Sequence, residues 1–176
     1  MKTKKHNKTF LKVIVGFSFG KQKDSPGNTN KGLAWLISKI IDKYKKSNHS
    51  KPKLILQEEI ANALYSDYNI KADYIIRARQ VKSKYLDTSM VANIISRYML
   101  PKNNECLVVA HPDHIKRCIN ELKKHNINGK HYKLMHNYIP WKKFNCSKYG
   151  YSKKSIQLWT TTRKRFLKHE KNIKNN

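Results

Sequence analysis

The stretch Cys106-Leu107-Val108-Val109-Ala110-His111-Pro112-Asp113-His114-Ile115-Lys116-Arg117-Cys118-Ile119 changes period halfway along. Its first five residues form a short continuous apolar run, the pattern of a strand buried on both faces. From there Ile115, Cys118, Ile119 and Leu122 recur at helical spacing. Pro112 and Asp113 suit the first turn of that helix, where a missing N–H is harmless and a carboxylate complements the dipole, and Gly129 signals its end. A buried strand feeding a helix directly, with no hairpin turn between them, is the repeating unit of a parallel α/β sheet.

Outward from this unit the same alternation recurs. Strands are predicted at Leu11–Phe17, Lys53–Leu56, Asp73–Ile76, Cys106–Ala110 and Tyr132–Met135. Leu33, Leu36, Ile37, Ile40, Ile41 and Tyr44 draw the stripe of the first helix, with Asn28, Thr29 or Asn30 available as its cap. A short helix is expected around Glu58–Tyr65. Met90, Val91, Ile94, Ile95 and Tyr98 mark another, started by Asp87 or Thr88 and stopped by Pro101. The expected fold is a single α/β domain of the doubly wound, Rossmann-like kind, with a mainly parallel five-stranded sheet and right-handed crossovers placing helices on both faces. Residues 1–10 form a basic tail and 11–172 the domain. Within it, 133–151 is an irregular excursion, and a last helix spans 156–173 with Trp159, Phe166 and Leu167 inward.

The chain carries 38 Lys and Arg against 11 Asp and Glu, a net charge of +27 over 176 residues. Abundant Lys, Asn, Ile and Tyr with few Arg is the usage of an AT-rich coding sequence, but it does not explain the shortage of acids, so an anionic partner stays in view. With 39% hydrophobic residues, the composition excludes wholesale disorder. No apolar run is long enough to span a bilayer. Met1–Lys8 followed by Thr9–Gly20 imitates a secretory signal, but Lys12 interrupts it and no small-x-small cleavage site follows; a buried first strand is expected instead. Cys106, Cys118 and Cys146 are odd in number and lack C-x-x-C spacing, as reduced thiols of a cytoplasmic protein would be.

Ligands of such a sheet bind at the strand carboxyl ends, and the residues there are polar. After the first strand come Gly16, Ser18, Gly20 and a loop into Asn28 and Asn30, a candidate phosphate or carboxylate cradle that is neither a P-loop nor a dinucleotide fingerprint. Gln57, Glu58 and Glu59 follow the second strand, and one of them could accept a ribose hydroxyl or act as acid or base, while carboxylates here also suit a helix start, the reading preferred for Glu59. Arg77 and Arg79, two of only six Arg, end the third strand and suit bidentate anion recognition. His111 and His114 are the acid–base candidates, with Asp113 able to orient either ring. Two His three apart match zinc spacing only loosely and no third ligand can be read, so no metal site is expected.

The segment Leu107–Cys118, with His114 and Arg117 three apart after a hydrophobic strand, resembles the signature of the YdcF/SanA/ElyC family of bacterial proteins. Val13-Ile14-Val15-Gly16 resembles that family's opening strand, Thr88 the Thr of its S-x-N-T-x-E-N stretch, and the helix with Trp159 and Arg163 its C-terminal helix. The likeness runs loosely over residues 11–170. Ala110-His111 stands where the family has Thr-Ser, and Met90 and Val91 stand where Glu and Asn would follow Thr88. The resemblance implies a Rossmann-like fold, a nucleotide-like ligand such as S-adenosylmethionine, a role in envelope biogenesis, and binding roles for His114 and Arg117.

The leading expectation is a cytoplasmic protein that binds a small anionic, nucleotide-containing metabolite at the strand ends. Two alternatives stand beside it. One is a basic nucleic-acid-binding module, in which the last helix and the N-terminal tail make one patch. The other is a non-enzymatic relative whose site has decayed.

Overall fold

The computed structural model describes residues 11–78, 86–99, 104–131, 139–145 and 150–174. Five strands, β1 (Val13–Gly16), β2 (Lys53–Gln57), β3 (Tyr74–Ile76), β4 (Glu105–Val109) and β5 (Asn128–His131), form one sheet in the order β3-β2-β1-β4-β5. Every neighbouring pair is parallel. The helices are α1 (Asn28–Lys46), α2 (Glu58–Tyr68), α3 (Thr88–Tyr98), α4 (Ile115–Lys124) and α5 (Arg163–Lys174). The chain builds outward from β1 through β2 to β3, then returns to lay β4 on the other side of β1. The order therefore reverses between β1 and β4, and connections leave that point in opposite directions.

Strand alternation divides the apolar residues between two cores. Ile14, Leu54, Leu56, Leu107 and Val109 point to one face, covered by the α1 stripe and by Ile60 and Leu64 of α2. Val13, Val15, Ile55, Ile76, Cys106 and Val108 point to the other, under Val91 and Ile95 of α3 and Cys118 and Leu122 of α4. Each fully buried Leu or Ile contributes about 1.5–3 kcal/mol, so these two layers dominate the stability of the sheet. The doubly wound arrangement read from the sequence is thus the one observed, with an entirely parallel sheet.

Several local readings are corrected. A strand is found at Asn128–His131, where none was expected; the predicted Tyr132–Met135 lies outside the described residues. Gly129 does not end α4. The left-handed turn after that helix is taken by Asn126 at φ 58°, while Gly129 pairs with Cys106 inside the sheet. A Cβ at Gly129 would stand 2.8 Å from Val108 Cγ2, so the position is kept bare by packing. The last helix begins at Arg163, and Leu158–Thr160 form a separate 3-10 turn. None of Asn28, Thr29 and Asn30 caps α1, which starts after Gly27 without a side-chain cap. Asp87 does cap α3, accepting the Met90 N–H at 2.7 Å. Pro101, Cys146 and the basic tail 1–10 lie outside the described residues. Cys106 and Cys118 are free and buried; burial, then the Glu105 charge, pushes the Cys106 thiol up to about 12.

Candidate functional site

The carboxyl ends of β1 and β2, the N-terminus of α3, the start of α4 and the C-terminal segment enclose a cleft of about 370 Å³. Phe17, Phe19, Trp159, Phe166 and Met90 supply apolar lining; Ser18, Lys21, Gln57, Thr88, His114 and Arg117 supply polar lining, together with the carboxylates of Glu58, Glu59 and Asp87. The cleft lies where the strand order reverses, the position at which α/β sheets hold ligands.

The β1–α1 loop that forms one side is held by long-range bonds to its own amides. Phe17 N–H extends the β1–β4 pairing to the Val109 carbonyl at 2.9 Å. Gln57 Oε1 accepts from Ser18 N–H and Asn30 Oδ1 from Phe19 N–H, both at 2.8 Å. Gly27, at φ 86°, brings the loop back on itself so closely that a Cβ there would stand 2.7 Å from the Gly20 carbonyl. The expected anion cradle is thus a self-closed loop: the Ser18 and Phe19 amides are already bonded, and it is the side chains that face the cleft. Beyond it, Ile156 N–H donates to the Lys21 carbonyl at 2.9 Å, tying the loop to the C-terminal segment.

His114 closes the first turn before α4, its carbonyl accepting from Cys118 N–H, and its ring is buried at the cleft. Nε2 stands 3.5 Å from Thr88 Oγ1, and Nδ1 has no hydrogen-bond partner among the described residues. Burial above all, and then the nearby Arg117, His111 and His169, hold its pKa well below the ordinary 6.5, so the imidazole is neutral at physiological pH. Arg117, one turn on, pairs through one terminal nitrogen with Glu170 of α5 at 3.0 Å while its Nε has no partner among the described residues. Lys21 and Glu59 approach to 3.6 Å, and Arg77 Nε donates to Glu58 Oε1 at 2.9 Å.

Of the residues singled out from sequence, Ser18, Gln57, Glu58, Thr88, His114 and Arg117 meet in this cleft. Arg77 is outside the lining and donates to Glu58, which is part of it. His111 lies outside the lining: fully buried, it stacks on Phe19 at 3.9 Å and its Nδ1 accepts from the Asp113 N–H at 3.1 Å. Asp113 anchors the C-terminal segment, taking two bonds from Arg163 at 2.9 and 3.1 Å and one from the Tyr151 hydroxyl at 2.7 Å. Burial disfavours its charge, but Arg163 and Tyr151 outweigh that and hold the carboxyl below its ordinary value. Gly16 is a packing position, where a Cβ would meet Leu56 Cδ2 at 2.8 Å. Gly20 turns at φ 70° against Thr160, Asn28 opens α1 away from the lining, Asn30 braces the loop, and Arg79 lies outside the described residues.

Phe19, Trp159, Thr160 and His169 line the cleft although the sequence reading assigned them no site role. Trp159 reads as helix core by spacing, yet it sits in the 3-10 turn, stacked on His169 at 4.9 Å. Among the described residues no group of three or more His, Cys, Asp or Glu is gathered as a metal would require. Comparison of the chain with protein-family models, with curated proteins and with solved structures gives no match.

Proposed function

We propose that the chain binds a small anionic, nucleotide-containing metabolite in this cleft, with S-adenosylmethionine among the candidate ligands. The observation that carries the reading is the meeting of aromatic surfaces with cationic and hydroxyl groups in one cleft at the point of strand-order reversal. A purine presents flat apolar faces, for which the partly exposed Trp159 offers a matching surface, while Phe17 and Phe19 are buried, Phe19 against His111. Lys21 and Arg117 offer charge to a phosphate or carboxylate in exchange for their present partners Glu59 and Glu170, and Ser18 and, at the N-terminus of α3, Thr88 offer hydroxyls. In this reading Glu58, which also accepts from Arg77, accepts from a ribose hydroxyl. The same geometry is suited to acid–base chemistry: a neutral imidazole at His114 can take a proton from a bound group, with the Thr88 hydroxyl beside its Nε2.

Thermal-shift screening of nucleoside mono-, di- and triphosphates and S-adenosylmethionine tests the reading. Lys21→Met and Thr88→Val are the variants of choice because neither removes a core side chain. The expected result is a saturable rise in Tm for the wild type with at least one ligand, reduced in both variants. No shift with any ligand, or equal shifts in all three proteins, would count against it.

A further inference from the structure

Among the described residues six large apolar side chains are exposed, and four of them fall in one stretch near the C-terminus: Ile156, Leu158, Leu167 and Ile173. Leu158 is 69% exposed, the highest of the six. The same part of the chain displays Lys153, Lys154, Lys164, Lys168 and Lys171 on its surface. Its single acidic residue, Glu170, is turned inward onto Arg117. Its aromatic residues are turned inward too: Phe166 and Tyr151 are buried together, and Trp159 is stacked on His169.

Exposed aliphatic side chains set among lysines, with no outward carboxylate, match one kind of partner closely. Aliphatic groups gain by leaving water for acyl chain, and lysines gain beside lipid phosphates. Nucleic acid fits less well, since base stacking uses aromatic side chains and these point inward. A second copy of the chain would set lysines against lysines. We propose that the outer surface of residues 150–174 docks on an anionic lipid bilayer, the aliphatic side chains entering the headgroup region and the lysines meeting lipid phosphates. Docking of this kind lies on the membrane rather than spanning it, and no helix among the described residues is long and apolar enough to cross one. Ile173 shares the inward stripe of α5 with Phe166 and Glu170 and lines the cleft, so the aliphatic side chains that enter the headgroup region are Ile156, Leu158 and Leu167, and the docked surface borders the proposed ligand site.

The test is co-sedimentation of the full chain with vesicles of phosphatidylcholine alone and of phosphatidylcholine mixed with phosphatidylglycerol. Binding is expected only to the mixed vesicles. Lys164→Glu/Lys168→Glu should weaken it by roughly fivefold or more per lysine, and Leu158→Asp/Leu167→Asp by about tenfold or more. Tyr65→Asp, at an exposed apolar residue on α2, should leave it unchanged. Circular dichroism checks that each variant is folded, and Leu158→Ser replaces the double aspartate variant if that one is not. Absence of binding to the mixed vesicles overturns the proposal. So does binding that is lost in the lysine variant but survives loss of both leucines; that result would assign the surface to polyanions such as nucleic acid.

Discussion

His114 joins the chemistry of the site to the stability of the fold. Its imidazole is buried and neutral, whereas in the unfolded chain it titrates near 6.5. Below that pH the unfolded state takes up a proton that the folded state refuses, so stability is fully present above 6.5 and is lost as pH falls from there toward the depressed folded value. Denaturant midpoints measured between neutral and mildly acidic pH should fall with a limiting slope of about 1.4 kcal/mol per pH unit, and His114→Gln should flatten that slope. Gly16 and Gly27 make a second residue-scale prediction. Gly16→Ala should cost about 1–3 kcal/mol through overpacking against Leu56. Gly27→Ala should cost at least as much, because the obstacle is the backbone carbonyl of Gly20 and the φ of 86° is itself unfavourable. Equilibrium denaturation measures both. His114 was legible in the sequence because a strand end and a helix start fix its place locally. The roles of Gln57 and Asn30 were not, since each bonds to an amide that only the tertiary fold brings near.

At the scale of elements, α5 decides whether the cleft is closed. It is held by the Arg163–Asp113 pair at one end, the Glu170–Arg117 pair further along, and Phe166, which packs with Phe19 and Tyr151. The buried aromatic carries more than the partly exposed Arg163 pair. Phe166→Ala should cost about 3–5 kcal/mol, while Arg163→Ala should cost less than about 1 kcal/mol; thermal and chemical denaturation separate the two. Amide hydrogen exchange of α5 should rise selectively in Phe166→Ala. Two elements escaped the sequence reading for definable reasons. β5 reads Asn-Gly-Lys-His and buries almost nothing, so its strand character comes from pairing with β4 and not from its own composition. The start of α5 was displaced because Ile156 and Trp159 keep a helical spacing while the Thr160-Thr161-Thr162 run breaks the helix. The helices α1, α3 and α4, by contrast, were legible from their apolar period, since each had a face to bury.

At the scale of the whole molecule, strands separated by single helices left a parallel sheet as the workable arrangement, and the order β3-β2-β1-β4-β5 places the reversal where six of the singled-out residues converge. The charge of +27 divides on this fold. Arg77, Arg117 and Arg163 are engaged with carboxylates, while many lysines coat the exterior. Charge alone therefore does not name the partner, but the few cations that reach the cleft do bear on it. The most direct measurement is a titration of the full chain, followed by amide and indole NMR spectra, with the panel of nucleotides and S-adenosylmethionine. The account predicts saturable shifts for at least one ligand at Ser18, Lys21, Thr88 and the Trp159 indole, attenuated in Lys21→Met. No saturable shift with any ligand, or shifts confined to the exposed lysines of α5, would contradict it.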